Sequence, residues 1–488
     1  MQENLSGFFI AIILLALSGW NSPLAENHVW VIGGGPNVEE GGVQIEYNVS
    51  WVLDVLRSEP GVRELHIYFG SGDDGELDIV ELTPSSDDLL SAMEPLARVF
   101  GAHIRNAETY RHNRIDDVKG TTSRESLLAN LRDDFSELEP GDKAFIIYNG
   151  HGFKDSEDYG KNTLRLWNDT YVTAREFEGL LSEISPAVPT RFIFAQCYSG
   201  GFARLIHPEG NDVLRLAEGN RCGFLAASSR EESEGCASST KFGDYRDYTT
   251  QFFAFFSGVT RDGETVPEEK DIDSDGIITL RDAHLFSLLE GYSKSLPRST
   301  SETFLENWEP WYLRWVGEAG WPENIYGELA QQVAVRLDLP TDPSGLSRSI
   351  SVRQRSLMKE RENLKEEAKD NIRTIKKLSE EIRVELARKF PAVRHPYTQK
   401  FAEFLAHDLG DASAFIVSHP LYAGLMSLQD RQLDIEEAVL KREREVSELQ
   451  KVLRLRKLGW LLTRFTAHAG EAEQAWFNQL VRCEKTTL

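Results

Sequence analysis

The chain has 488 residues, of which 41% are hydrophobic, and a formal net charge of −24. That length allows two or three domains, each with its own core, and the acidity argues against nucleic acid as a partner. The charge is unevenly spread: the first 346 residues carry −29 and the remainder +5, a switch that marks a domain boundary.

The chain opens on an apolar run, Phe8 to Leu17, too short to span a bilayer. Small residues follow, and cleavage after Ala25 or Gly19 suits an export signal. Glu3, rather than a basic residue, precedes the run. Residues 1–25 are therefore expected to be a signal peptide, with the protein exported to a periplasm or to the extracellular space. No later segment reads as a membrane span.

From His28 to about Phe256, apolar strands alternate with amphipathic helices. Val29 to Ile32 reads as a strand running into Gly33-Gly34-Gly35-Pro36. The glycine spacing fails the dinucleotide-binding pattern, so these residues are read as a turn. Val49 to Leu56, Leu89 to Phe100 and Ser123 to Leu138 read as helices, with Thr122 and Ser123 offered as caps for the third. Leu65 to Tyr68 reads as a strand. Thr173 caps a helix through Ile184, and Tyr248 to Phe256 reads as an apolar helix. Near-continuous apolar strands between helices imply a mostly parallel sheet covered on both faces.

Two strands carry the chemistry. Ala144 to Asn149 ends on Gly150-His151-Gly152, and Arg191 to Gln196 ends on Cys197-Tyr198-Ser199-Gly200-Gly201. Parallel strands leaving one edge of a sheet bring such residues together, and that edge is where open α/β sheets bind ligands. Imidazole beside thiol is an arrangement for nucleophilic catalysis. A helix starting at Ser199 is expected to place its positive end beside the sulfur and favour thiolate. The backbone N–H groups of Cys197 and Gly152 are candidates for an oxyanion hole.

These motifs resemble the caspase-like cysteine peptidases, the clan of caspases, metacaspases and legumain, over the segment from about His28 to Leu289. Tyr148-Asn149-Gly150-His151-Gly152 is similar to the metacaspase histidine motif. Gln196-Cys197-Tyr198-Ser199-Gly200 is similar to the cysteine motif. Ala226-Ala227-Ser228-Ser229-Arg230-Glu231-Glu232-Ser233 resembles the legumain segment that lines the specificity pocket. The resemblance implies a three-layer caspase-like sandwich and peptide hydrolysis through an acyl-enzyme, with no metal in the chemical step. His151 is then base and acid, Cys197 the nucleophile, and Gln196, Ser228, Ser229 and Arg230 substrate-binding residues. Ala195 and Gln196 stand where family members carry an acidic residue, so the family's specificity is not carried over. Asp155, Glu157, Asp158, Glu231, Glu232 and Glu234 favour a basic P1 residue, or are ordinary solvated charge.

Asp271 to Asp282 matches an EF-hand-type calcium loop. Asp271, Asp273 and Asp275 supply oxygens, Gly276 the sharp turn and Ile277 its carbonyl; Ile278 packs inward, and Asp282 stands in the place of the usual glutamate. Ca²⁺ is thus the expected cofactor, structural or activating. Among the four cysteines, Cys222 and Cys236 can pair in an exported protein or remain free buried thiols. The absence of CxxC spacing argues against a structural zinc site.

Beyond Ser347, apolar residues recur at spacings of three, four or seven (Leu364, Ala368, Ile375, Leu378, Ile382; Ile435, Val439, Val446, Leu449, Leu453). They read as long amphipathic helices in a hairpin or bundle, of coiled-coil character, broken at Phe390-Pro391 and His419-Pro420. The expected organisation is a peptidase domain over 26–340, a linker over 341–346 and a helical regulatory or interaction region over 347–488. Its expected partners are a peptide or protein substrate and, through the helices, a protein partner or a second copy. The competing reading is a non-enzymatic scaffold whose helices bind a protein.

Overall fold

The computed structural model describes residues 27–83, 88–100, 107–210, 215–238, 240, 245–313, 320–396 and 398–488; the expected signal peptide lies outside them. In chain order the elements begin β1 (Asn27–Gly34), α1 (Val43–Ser58), β2 (Val62–Phe69), β3 (Ile79–Thr83), α2 (Asp88–Val99), β4 (Ala107–Arg111), β5 (Val118–Gly120) and α3 (Arg124–Ser136). The site-bearing stretch follows: β6 (Lys143–Gly150), β7 (Gly152–Phe153), β8 (Thr163–Leu166), β9 (Thr170–Thr173), α4 (Ala174–Leu181), β10 (Thr190–Phe194) and β11 (Arg221–Leu225). After it come α5 (Tyr248–Ser257), α6 (Leu280–Glu290), β12 (Arg298–Ser299), α7 (Thr300–Trp308) and α8 (Ile325–Arg336). The chain ends with α9 (Pro343–Lys389), α10 (Gln399–His407), α11 (Leu409–Val417), α12 (Tyr422–His468) and α13 (Glu471–Glu484).

Seven strands form one sheet in the order β12-β11-β10-β6-β1-β2-β5. Every pairing in it is parallel except β11 with β12. Alternation along β6 sends Ile146 and Tyr148 to one face and Phe145 and Ile147 to the other, each into a separate buried cluster. The first cluster is covered by α3, α4 and α7 with the end of α12 and α13; the second by α1, α5 and α6. Strands buried on both faces must be apolar at successive positions, which is why they read as unbroken hydrophobic runs.

Local chemistry sets several boundaries. Thr173 and Glu176 form a reciprocal capping box at the start of α4. Ser123 precedes α3 without a side-chain cap, and the Thr122 hydroxyl donates to the Gly70 carbonyl instead. The antiparallel β3–β4 pair and the β7–β8–β9 sheet, short and not uniformly apolar, were not expected.

The C-terminal helices depart from the expected organisation. The segment read as a linker is the start of a helix: Asp342 caps α9 and Pro343 occupies its first turn. Both α9 and α12 are 47 residues long and pack together as a hairpin, broken at the two expected proline sites. The hairpin does not stand apart. Phe465, Phe477 and Leu480 complete the first sheet cluster. Leu449, Val452 and Leu455 of α12 pack with Tyr326, Leu329 and Val333 of α8. Leu96 and Val99 of α2 join Ile375 and Ile382 of α9.

A disulfide joins Cys222 on β11 to Cys483 on α13, not to Cys236. Cys236 is a free thiol, as is Cys197. The alternative that paired Cys222 with Cys236 is therefore corrected: Cys222 sits in the first cluster, on the face where α13 docks.

This packing generates a prediction. A chain ending at Leu339 loses Arg454 and Glu484, the partners of the buried Glu302 and Arg281, and strips α7 of its cover. Leaving one member of a buried pair unpaired costs about 3–5 kcal/mol each time. The truncated chain should show no cooperative melt by circular dichroism, where the full chain melts cooperatively; a full-chain-like transition would restore the expected boundary.

Candidate functional site

His151 and Cys197 leave adjacent parallel strands at the same edge. In the β6–β10 register Tyr148 lies opposite Phe194, so His151 and Cys197 each come three residues beyond one matched pair. Tyr148 anchors the first turn, its hydroxyl donating to the carbonyls of His151 at 3.0 Å and Arg165 at 2.6 Å. Tyr198, directly after the cysteine, takes φ 60°. This left-handed turn is unusual for a residue with a side chain. It carries the chain out of the strand into an eight-residue 3₁₀ helix, Ser199–Ile206.

Only glycine fits at position 152. A Cβ there would lie 2.4 Å from the Cys197 carbonyl oxygen and 2.5 Å from Cγ of Gln196. This close packing locks the histidine turn against the cysteine turn. Gly200 is similarly constrained: a Cβ there would lie 2.4 Å from the Ser229 nitrogen.

The imidazole has a defined tautomer. His151 Nε2 lies 2.9 Å from the backbone carbonyl of Glu40. A carbonyl only accepts, so Nε2 carries the proton and Nδ1 holds the lone pair. Burial lowers the His151 pKa from its ordinary value, against the opposing pull of that carbonyl. The ring is thus a neutral base at neutral pH.

The sulfur does not follow the expectation of a ready thiolate. Burial raises the Cys197 pKa, the nearby Cys236 raises it further, and hydrogen bonds from Ser233 oppose the shift. A 3₁₀ segment supplies less aligned dipole than an α-helix. The resting pair is thiol and neutral imidazole.

The segment from Glu231 to Cys236 covers the sulfur. The Ser233 N–H donates to Cys197 Sγ at 3.3 Å, and the thiol reaches the Ser233 carbonyl at 3.5 Å. The Tyr198 N–H donates to the Glu231 carbonyl. Cys236 Sγ reaches the Gly150 carbonyl at 3.4 Å, and burial pushes its thiol up to about 12. Sequence reasoning missed Glu40 and Cys236 as parts of the site, and placed Ser233 in the specificity segment rather than on the sulfur. Glu40 and Ser233 act through backbone groups, which leave no mark in a sequence.

The expected substrate-binding residues are dispersed. Gln196 is fully buried, and neither polar atom of its amide has a hydrogen-bond partner. Ser229 and Arg230 line a cavity of about 440 Å³ with Gly200, Arg204, His207 and Tyr159. Ser228 lies behind it, against Gly200. Arg230 stacks on the Tyr159 ring at 5.1 Å. Three of the six acidic residues thought to favour a basic P1 are engaged in ion pairs: Asp158 with Arg175 and Arg204, Glu232 with Lys294, and Glu234 with Arg444 of α12.

In the EF-hand-type loop, ligand oxygens of Asp271, Asp273 and Asp275 come within 4.8 Å of one another. Asp273 Oδ1 is buried without a hydrogen-bond partner. Lys485 Nζ touches Asp273 at 2.8 Å and Asp275 at 2.6 Å, a cation lodged in the acidic cluster. Asp282 does not join that cluster. It is the third residue of α6 and forms a capping box with Thr279, and it also accepts from the backbone of Ile272 and Asp273. Ile277 and Ile278 are both exposed, so Ile278 does not pack inward.

No family model and no curated protein matches the chain. Among solved structures it is similar to a Geobacter sulfurreducens protein determined by a structural-genomics consortium, at 13% identity and a TM-score of 0.29, covering 48% of this chain and 84% of that one. No helix among the described residues is long and apolar enough to cross a membrane.

The histidine makes the site testable by pH. A neutral imidazole is needed, and burial lowers the His151 pKa, so the neutral form persists to more acid pH than for a free histidine. Any thiol-dependent rate should hold its plateau down through pH ~6.5 and fall only below it. A kcat/KM profile with its acid limb above that value would contradict the buried-base geometry.

Proposed function

We propose that the protein is an exported cysteine endopeptidase of the caspase-like type, working through His151 and Cys197. The observation that carries this reading is the tautomer: the Glu40 carbonyl fixes the proton on Nε2, leaving Nδ1 as the base at the edge where Cys197 leaves its strand. As Sγ attacks a peptide carbonyl carbon, Nδ1 takes the thiol proton. The carbon–sulfur bond forms while the carbonyl pair moves to oxygen. The backbone N–H groups of Gly152 and Cys197 are the candidate donors to that oxyanion. The Ser233 N–H, already on Sγ, favours the sulfur's developing negative charge. The intermediate collapses with loss of the amine, which receives the proton from His151, and water then cleaves the thioester with His151 again as base.

The cavity beside Gly200 supports an acidic rather than a basic side chain at P1. Arg204, His207 and Arg230 line it, and none of its lining residues is acidic. The disulfide is compatible with export. The experiment is a peptide-library cleavage profile on the full chain and on Cys197→Ala. Turnover should fall at least ~10³-fold in the variant while the melting temperature holds, with acidic residues enriched at P1. Unchanged turnover, or no turnover and no labelling of the natural chain by a thiol-reactive peptide probe, would reject the reading in favour of a scaffold.

We also read the Asp271–Asp273–Asp275 cluster as a weak Ca²⁺ site whose resting occupant is the Lys485 ammonium. A bound ion would supply charge neutralisation to the loop before α6 and has no part in the chemical step. Calorimetry should give a Kd of about 10⁻⁵ to 10⁻³ M, tightened in Lys485→Ala and lost in Asp271→Ala/Asp273→Ala. An absence of calcium heat in both the natural chain and Lys485→Ala would refute it.

A further inference from the structure

At the opposite edge of the sheet, where the strands begin, lies a second cluster. His28 is the second residue of β1, and Glu64 and His66 are the third and fifth of β2. The register pairs His28 with Glu64 and Trp30 with His66. Period-two alternation puts His28, Trp30 and His66 on one face of the sheet, where their rings stack.

Both imidazoles turn toward the same carboxylate. His28 Nδ1 lies 3.3 Å from Glu64 Oε2, and His66 Nε2 lies 3.6 Å from Glu64 Oε1. One ligand atom from each of the three residues falls within 4.8 Å of the others. Around a tetrahedral Zn²⁺ with bonds of about 2.0–2.1 Å, neighbouring ligand atoms stand about 3.3 Å apart. His66 is 1% exposed, and its Nε2 is buried with no hydrogen-bond partner. An unmet ring nitrogen in an otherwise satisfied core is costly. It is accounted for if that nitrogen is a ligand.

The second nitrogen of each ring is also placed as a metal site requires. His28 Nε2 faces Asp142 Oδ2 at 3.6 Å, and His66 Nδ1 faces Asp134 Oδ2 at 3.1 Å. Metal-bound histidines commonly present their remaining N–H to a carboxylate, which fixes the tautomer and orients the ring. Asp134 is itself held by Trp30 Nε1 and the Tyr68 hydroxyl, both at 2.8 Å. A cation already sits at the rim. Lys119 Nζ is 2.9 Å from His66 Nδ1 and 3.7 Å from Glu64 Oε1, on a side chain 40% exposed. Bound metal would repel that ammonium toward solvent, freeing Nδ1–H for Asp134.

We propose that His28 Nδ1, Glu64 and His66 Nε2 form a Zn²⁺ site with a fourth position left for water. The absence of CxxC spacing has no bearing on it, because the set uses no cysteine. The site lies at the strand edge opposite Cys197 and does not rest on the peptidase reading.

The test is calorimetry of the full chain with Zn²⁺ in millimolar Ca²⁺, alongside visible spectra with Co²⁺ as a probe. One Zn²⁺ per chain and the d–d bands of tetrahedral Co²⁺ are expected. Glu64→Gln, on a half-exposed side chain that need not disturb the core, should weaken zinc at least ~100-fold while keeping the natural melting temperature without metal. Asp134→Asn should weaken it about 10–100-fold, and Lys119→Met should tighten it. Absence of zinc heat and of cobalt bands in the natural chain would overturn the proposal. So would unchanged zinc binding in Glu64→Gln. Loss of zinc in Asp273→Ala would move the ion to the acidic loop, and a thiolate-to-cobalt charge-transfer band would move it to Cys197 and Cys236; either result overturns the assignment.

Discussion

A buried network of charges around Glu302 and Glu484 is the constraint on which the assembly of this fold depends. Glu302 is fully buried and meets His284 of α6 at 3.2 Å and Arg454 of α12 at 2.8 Å, while capping the start of α7. Glu484, near the end of α13, takes Arg281 of α6 and the hydroxyls of Thr300 and Ser301. Four helices thus meet through charges that have no water to fall back on. Burial opposes the ionised carboxylate of Glu302, and Arg454 and His284 outweigh it, holding its pKa well below the usual range. Such a network contributes less to stability than to uniqueness. Each helix has one position in which every buried charge is met, and a slip of one turn leaves several unmatched.

The same rule decides how much could be read from the chain. The central strands were legible because burial on both faces forces near-continuous apolar runs, and the two reactive residues stand where those runs stop. The long helices were legible from the spacing of Leu and Ile, and their breaks from proline. What the sequence could not show is pairing at a distance. The Cys222–Cys483 bond joins residues 261 positions apart, and nothing local distinguishes Cys483 as the partner. The metal-type cluster at His28 becomes visible only once β1 and β2 are set in register. The thiolate expectation met a different obstacle: the helix after Cys197 is a 3₁₀ segment, and burial raises the thiol pKa. The linker reading overlooked that Asp342 before Pro343 supplies a helix cap and a first-turn proline, which mark a helix start as readily as a loop.

The helical hairpin and the reactive edge are mechanically joined. Arg444 of α12 holds Glu234 through Nε at 3.1 Å and Nη2 at 2.5 Å, and the backbone of Lys294 donates to the same carboxylate. Glu234 is the residue after Ser233, whose amide lies on the Cys197 sulfur. The covering segment is also fixed to α1, where Gln44 exchanges hydrogen bonds with the backbone of Ala237. The segment over the nucleophile is therefore pinned at two points just after Ser233, at Glu234 by the C-terminal helices and at Ala237 by the N-terminal half of the chain.

The disulfide gives the molecule an unequal topology. It closes a covalent ring from Cys222 to Cys483, and the strands β1, β6 and β10 lie outside that ring. A nick between Glu231 and Glu234, or anywhere along the helical hairpin, leaves one covalent body that migrates intact without reductant. A nick at Arg215 falls outside the ring. It parts the chain into a piece bearing His151 and Cys197 and a piece bearing the covering segment, held together by the parallel pairing of β10 with β11 and the surrounding core. Two cuts separated by fewer than twenty residues thus differ in kind: one preserves the covalent link between nucleophile and cover, and the other turns the protein into a two-chain complex.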